Sequence, residues 1–483
     1  MHEDPKKLVF EPEIAWKKRK REEIERFSKE YSKFLTKSKT ERLVVKNLVT
    51  DAEEHGFSDD ISSDRFYVVN KDKTVAFFRI VDDLKNGLNI IATHIDSPRI
   101  DLKPRFLFED SGILLLKTHY YGGIKKYHWL NIPLCLKGVI FKTDGSTVEV
   151  SIGDEPAEPI LVIPDLLPHL DKEDKKVTEK FQGEDLAPIA GTIPIEEEEK
   201  EAVKLFILKL LNEKYGVTEE DLLGADLELV PAFEARSAGL DRSLIAGYGH
   251  DDRVCAYSAF RAILDSMSLK RSAIVLLFDR EEIGSEGNTG ARERFWMRTL
   301  KKIINMRDLK IDVDDVIEKS AILSGDVAAA LDPKYKSVME FLNAPKLGYG
   351  IVLVKYTGVR GKSGTSEASA EFFGKIRNLF KQNGVSWQIG ELGKVDQGGG
   401  GTVAKFFAEL GAWVLDAGPA VLGMHSPYEL VSKADLYETY MAYKTFLGNV
   451  NTAGFRSISN LVCFFKYVNI NNFCRRRFVW PYN

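Results

Sequence analysis

Cysteine is scarce in this chain: 483 residues hold four, Cys135, Cys255, Cys463 and Cys474. No two of them form a CxxC pair, so neither a thiolate zinc site nor a disulfide framework is indicated. An excess of positive charge is also missing. The formal net charge is −4, which leaves no global basic footprint for nucleic acid. The N-terminal stretch MHEDPKKLVFEPEIAWKKRKREEIE is charged and contains no apolar signal region. Nowhere do 18 apolar residues run uninterrupted, so no membrane span is expected. These absences fit a reducing, cytoplasmic setting. The length allows one large domain with an insertion, or two to three domains.

What is present is organised around residues 272–290, SAIVLLFDREEIGSEGNTG. The short, dense apolar run Ala273–Phe278 reads as a buried strand. It ends in Asp279, Arg280, Glu281 and Glu282. In a sheet covered by helices on both faces, ligands sit at such strand ends. Adjacent carboxylates repel each other unless something positive holds them. The bland alternative is a solvated turn after a core strand. Against it stand matching acids and histidines elsewhere.

Helices are expected over residues 13–36, with Ile24, Phe27, Tyr31 and Phe34 on one stripe, and over 40–56. The KKRKREE run reads as a solvated face. Strands are expected at 66–69 and 75–80. The next, in NIIATHIDSPRI (89–100), leads into His94 and Asp96. Two residues apart in extended chain, they share a side, and Asp96 could orient a metal-bound His94. Residues 102–240 alternate strand-like pieces (113–117, 134–142, 147–152, 160–163, 227–230) with turns, a polar loop (171–185) and a helix (196–215). This reads as a small β-rich insertion. His169, in LLPHLDKE, is open to an ordinary or a functional reading.

AGYGHDDRVCAYSAF (246–260) places His250, Asp251 and Asp252 before an expected helix over 254–264. For Asp251, a helix cap and a metal ligand are both open. Residues 291–320 read as helices or a lid. AILSGDVAAA (321–330) is an apolar run interrupted by Asp326. A strand is expected at 350–356. The following GVRGKSGTSEASAEFFGKI lacks the GxxxxGK[ST] spacing, which rejects a nucleotide loop. Ser366 is expected to cap a helix over 368–380. The run of four glycines in DQGGGGT (396–402) permits close backbone approach to a ligand or a tight loop. His425 lies in GPAVLGMHSPYEL (418–430).

Five segments therefore end apolar runs or begin helices with candidate ligands: His94, Asp251, Glu281–Glu282, Asp326 and His425. Zinc and similar ions take imidazole and carboxylate. Two ions sharing a bridging carboxylate need two histidines and at least three acids, with one further carboxylate left to move a proton. The count matches.

The chain resembles the aspartyl aminopeptidases, a family of two-metal, tetrahedral dodecameric enzymes. The likeness spans about residues 15–446. It rests on ordered motifs: THIDSP (93–98), DDR (251–253), DREEIGS (279–285), SGDVA (324–328), RGKSG (360–364) and GMHSPYE (423–429). The resemblance implies an α/β, mixed-sheet, three-layer catalytic domain (1–99 and 241–446) with an inserted β-rich oligomerisation domain (100–240). It implies two divalent ions, Zn²⁺ by preference and Co²⁺ or Mn²⁺ as alternatives. His94 would bind one and His425 the other, with Asp251 bridging. Glu282 and Asp326 would complete one ligand at each ion, Glu281 would be the general base, and Asp96 would orient His94. It also implies peptide substrates trimmed one N-terminal residue at a time.

The chain departs from the family pattern at Ala329–Ala330, at Tyr428, and at Asp165, where only His169 of a histidine pair is kept. Acidic N-terminal residues are therefore expected only from the resemblance, with Lys362 and Lys394 as available cations and His169 and Tyr428 as further candidate substrate contacts. The rival readings are a related two-metal amidohydrolase or deacylase, and an inactive scaffold. Residues 447–483 stand apart as an atypical tail, since no Asp or Glu follows Glu438.

Overall fold

The computed structural model describes residues 8–172, 174–196 and 198–450. Residues 451–483 of the atypical tail lie outside the described residues. The helix Lys433–Asn449 carries regular structure past the boundary expected at 446.

The body is a mixed eight-stranded sheet, in the order Arg65–Asn70, Thr74–Arg79, Ala273–Phe278, Asn89–His94, Ala321–Ser324, Trp413–Gly418, Ile351–Val354 and Trp387–Ile389. The four strands Ala273–Phe278, Asn89–His94, Ala321–Ser324 and Trp413–Gly418 run parallel. Every residue of Ala273–Phe278 and of Asn89–His94 is buried. Their apolar side chains alternate between two cores. Ala273, Val275 and Leu277 pack under helices His250–Asp265, Ala370–Gln382 and Lys433–Asn449. Ile274, Leu276 and Phe278 pack under Phe295–Met306, Val313–Glu318 and Ala404–Ala408. Period-two side chains buried on both faces are what continuous apolar runs produce in a three-layer α/β body. Residues 291–320 thus contribute two helices to a core rather than only a lid.

The segment after His94 leaves this sheet and enters another. Six antiparallel strands pair in the order Thr147–Ile152, Leu134–Phe141, Asp226–Pro231, Arg99–Asp110, Ile113–Tyr121 and Ile189–Gly191. Residues 160–163 join it only by isolated bridges. A smaller five-stranded sheet, which includes Leu244–Gly247 and Glu429–Ser432, borders the body. Among the described residues, no helix is long and apolar enough to cross a membrane.

Two local expectations change. Ser369, not Ser366, caps the helix Ala370–Gln382: its side chain accepts the Phe372 N–H at 3.2 Å. The chain is still extended at Ser369, so the first free helical N–H groups lie beyond the reach of Ser366. Residues 13–36 also break. A 3₁₀ turn at Ala15–Lys17 precedes the helix Arg21–Lys37. Within the charged run, Arg19 turns inward and pairs with the buried Glu438 at 2.6 Å.

Candidate metal centre and active site

Parallel strands deliver their C-terminal ends to one edge of a sheet. Phe278 pairs with His94, and Ser324 with Ala92, so Glu281, Glu282, His94 and Asp326 reach the same edge. Asp251 comes from the non-helical first turn of the segment His250–Asp265, just after Gly249. His425 comes from the connection between Ala420–Leu422 and Glu429–Ser432.

Asp251 lies between the two imidazoles. Its Oδ1 is 3.2 Å from His94 Nε2, and its Oδ2 is 3.2 Å from His425 Nε2. Asp326 Oδ1 is 4.0 Å from His94 Nε2, and Glu282 Oε2 is 3.3 Å from His425 Nε2. Ligand atoms of His94, Asp251 and Asp326 lie within 4.8 Å of one another, as do those of Asp251, Glu282 and His425. Among the described residues these are the two groups of this kind. Glu282 Oε1 is buried without a hydrogen-bond partner. Imidazole nitrogens and carboxylate oxygens in two triads sharing one acid fit a pair of divalent ions.

Both imidazoles are held from behind. His94 Nδ1 faces Asp96, 3.1 Å from its carbonyl and 3.3 Å from Oδ1. His425 Nδ1 lies 2.9 Å from the Gly123 carbonyl. An Nδ1–H donated to oxygen leaves Nε2 free to ligate. Asp96 also accepts the backbone N–H groups of Glu281 and Glu282, at 3.1 and 3.2 Å. Asp251 is not a helix cap. Its backbone is non-helical (φ −80°, ψ 103°), and its carboxylate faces the histidines. Gly249 makes this loop possible. It sits at φ +79°, and a Cβ there would meet the Arg253 guanidinium at 2.2 Å and Ser97 Oγ at 2.8 Å.

Electrostatics favour cations here. Burial raises the carboxyl of Glu281 to about 7, with further push from Asp96 and Asp251. Burial and Asp251 likewise hold Glu282 well above the ordinary carboxylate range, and burial does the same for Asp326. For Asp251 burial acts upward too, but the hydrogen bonds with His425 and His94 outweigh it and hold its carboxyl low. Several acids face two imidazoles in a poorly solvated space, and that arrangement complements divalent charge.

The centre opens into a cavity of about 470 Å³. Asp251, Glu281, Glu282, Asp326 and His425 line it, with Lys362 and Lys394 from the expected set. Lys362 is paired with Glu367 at 3.2 Å and lies over the Tyr356 ring at 3.9 Å. Arg360, Lys405 and the glycine run also line the cavity. His169 and Tyr428 are not on its wall. His169 is exposed on the inserted segment. The Tyr428 hydroxyl donates to the Glu234 carbonyl at 3.1 Å.

Sequence reasoning missed Glu429. It accepts the N–H of Asp251 at 3.0 Å and that of His425 at 2.8 Å, joining the bridging acid to one histidine. With that bond His425 sits at φ +64°. The only hint was that Glu429 ends the GMHSPYE motif. Tyr121 was missed as well: its hydroxyl donates to Asp96 Oδ2 at 2.8 Å. Nothing local in the sequence connects it to residue 96.

Comparison with known proteins agrees with this geometry. A family model described as aminopeptidase I zinc metalloprotease (M18) matches residues 30–447. A probable M18 family aminopeptidase 1 of Thermotoga maritima is 56% identical over 449 residues, covering 91% of this chain and 99% of that protein. The crystal structure of an M18 aminopeptidase from the same organism superposes with a TM-score of 0.90 at 55% identity, covering 92% of this chain and 100% of that one. Aminopeptidase I of Clostridium acetobutylicum superposes with a TM-score of 0.86 at 42% identity, covering 91% and 100%. A yeast relative described as a dodecamer shares the fold, with a TM-score of 0.70 at 20% identity. Two triads joined through Asp251 and a family match over most of the chain lead to one conclusion: this chain belongs to the M18 aminopeptidases and is a metal-dependent aminopeptidase.

Proposed function

We propose that the enzyme releases single N-terminal residues from short peptides at a centre of two Zn²⁺ ions, one held by His94, Asp251 and Asp326 and the other by Asp251, Glu282 and His425. One observation carries this reading: each carboxylate oxygen of Asp251 is 3.2 Å from the Nε2 of a different histidine. When bound, the ions supply Lewis acidity, polarising the scissile carbonyl and lowering the pKa of a water. Glu281 lines the cavity beside both triads without belonging to either. Its place beside both triads suits a group that takes a proton from the attacking water and passes it to the leaving amine. Asp96 keeps the His94 ring and the Glu281–Glu282 turn in register. A free α-amine would be attracted by the carboxylates of the centre, which favours removal of the first residue.

Acidic first residues are the proposed preference. Arg360, Lys362, Lys394 and Lys405 on the cavity wall support it, because cations there stabilise a carboxylate. We further propose that the chain assembles into a dodecamer through residues 100–240. Phe141, Leu166, Leu167, Leu170 and Ile193 of that segment are each about half exposed or more, which favours a partner surface.

A Zn²⁺ titration of chelator-stripped enzyme tests the centre. Uptake of two ions per chain, with activity on aminoacyl chromogenic substrates and none on N-acylated ones, is the expected result. Full activity with no bound ion refutes it. A faster rate on Leu or Ala than on Asp or Glu substrates overturns acidic selectivity alone.

A further inference from the structure

Asp96 is fully buried and serves four donors or donor-bearing groups: His94 Nδ1, the N–H groups of Glu281 and Glu282, and the Tyr121 hydroxyl. Three of these belong to the body. Tyr121 is the last residue of the strand Ile113–Tyr121 in the six-stranded sheet. The Arg99 guanidinium lies over its ring at 3.9 Å. Arg99 in turn donates to Asp101 at 2.8 Å and faces Glu228 at 3.4 Å and the body residue Glu41 at 3.6 Å. The ring is therefore clamped from the insert side and the hydroxyl is fixed on the metal side.

The next two residues extend the contact. Gly122 sits at φ +72°, where a Cβ would touch Glu282 and Pro98 at 3.3 Å. Gly123 supplies the carbonyl that faces His425 Nδ1 at 2.9 Å. The turn thus reaches the supports of both triads from outside the body.

We propose that Tyr121 is a positioning residue of the metal centre: through Asp96 it sets the His94 imidazole and the turn carrying Glu281 and Glu282, and so couples the six-stranded sheet to catalysis. This rests on the two-ion reading above. A carboxylate offers about four acceptor positions, and with the phenol removed Asp96 keeps three partners and gains freedom to rotate. Partners that orient metal ligands typically matter 10- to 100-fold in metal affinity or activity.

Tyr121→Phe keeps the ring over Arg99 and deletes only the hydroxyl. Zn²⁺ affinity, measured against a competing chelator, is expected to fall by about tenfold. The kcat should fall by about the same factor with KM within about twofold, because binding of the substrate does not use Asp96. Tyr120→Phe, the neighbouring exposed tyrosine, should leave both unchanged. A folded Tyr121→Phe enzyme with wild-type Zn²⁺ affinity and kcat overturns the proposal. If that variant does not fold, hydrogen exchange on the wild-type chain decides. Coupling is reciprocal, so Zn²⁺ must slow amide exchange in residues 113–123 as well as in the ligand loops. Protection confined to 94–97, 249–252, 281–282, 324–327 and 423–426 overturns it. An absence of Zn²⁺ uptake removes the two-ion reading and this inference with it.

Discussion

The central strands of the eight-stranded sheet are buried on both faces, whereas in the six-stranded sheet Ile113–Tyr121 alternates between buried and accessible residues over 113–118 and Thr147–Ile152 buries only Val150. The first sheet runs parallel at its centre and carries its chemistry on strand ends. The second is antiparallel and offers no residue to either metal triad. It would be easy to assign catalysis to one and assembly to the other. The Tyr121–Gly123 turn argues against so clean a division, because both histidines depend on it or on what it holds. A sheet whose outer strands keep accessible residues can serve an interface and still brace a site at its edge.

The sharpest test of the division is Glu281→Gln. Turnover should fall by about two to four decades, while Zn²⁺ stoichiometry and thermal midpoint stay near wild type. Loss of bound metal instead would place Glu281 among the ligands. The joint between the sheets comes next. Arg99→Met removes the countercharge at 3.4 Å from Glu228 and one of the two beside Glu41, where Lys73 remains at 3.2 Å; both acids are buried. Removing one partner of a buried pair costs about 3–5 kcal/mol, measured by denaturant unfolding. A change under about 1 kcal/mol, the scale of an exposed pair, would show that the two sheets are joined elsewhere.

Paired aromatic deletions compare the cores directly. Phe78 is fully buried and stacks on Phe66 at 4.6 Å, so Phe78→Ala should cost about 3–5 kcal/mol. Phe141 is 66% exposed, and Phe141→Ser should change chain stability by no more than about 0.5 kcal/mol. It should instead weaken self-association, read by light scattering. Large destabilisation by the second variant would assign Phe141 to a core rather than a surface.

A last effect concerns acid. Burial disfavours the charge on Glu41, and Arg99 and Lys73 more than offset it, holding the carboxyl at about 2 against an ordinary 4.5. A depressed folded-state pKa stabilises above the unfolded value. This contribution is therefore complete above about pH 4.5 and is lost as pH falls toward about 2. Glu41→Gln should flatten that part of the acid limb relative to wild type. An unchanged slope in the thermal midpoint between pH 5 and about 2 would show that the pair does not govern it.

Legibility followed the physics of each element. Ala273–Phe278 and Asn89–His94 were readable because strands buried on both faces must be apolar throughout. Arg99–Asp110 was not readable as a strand. Pro104 interrupts it, and the pairing register shifts between Leu102 and Leu107. Ser366 and Ser369 both stand near the helix start, and only the backbone path says which one the free N–H groups reach. His169 and Tyr428 rested on motif positions, and the folded chain places neither on the cavity wall.

The sequence by itself determined the chemistry available to this protein: which residues can ligate, which can move a proton, and which runs must be buried. Side-chain type and short-range period carry that information locally. Only the tertiary structure decided that Asp251 faces His94 and His425 at once, that Glu429 holds the backbones of two ligands, and that a tyrosine 25 positions from Asp96 completes its hydrogen bonds. Except for the four-residue step from His425 to Glu429, those are distances across chain separations that no local pattern encodes. They exist because parallel strands bring their ends to one edge, and because a glycine turn lets a second sheet approach it.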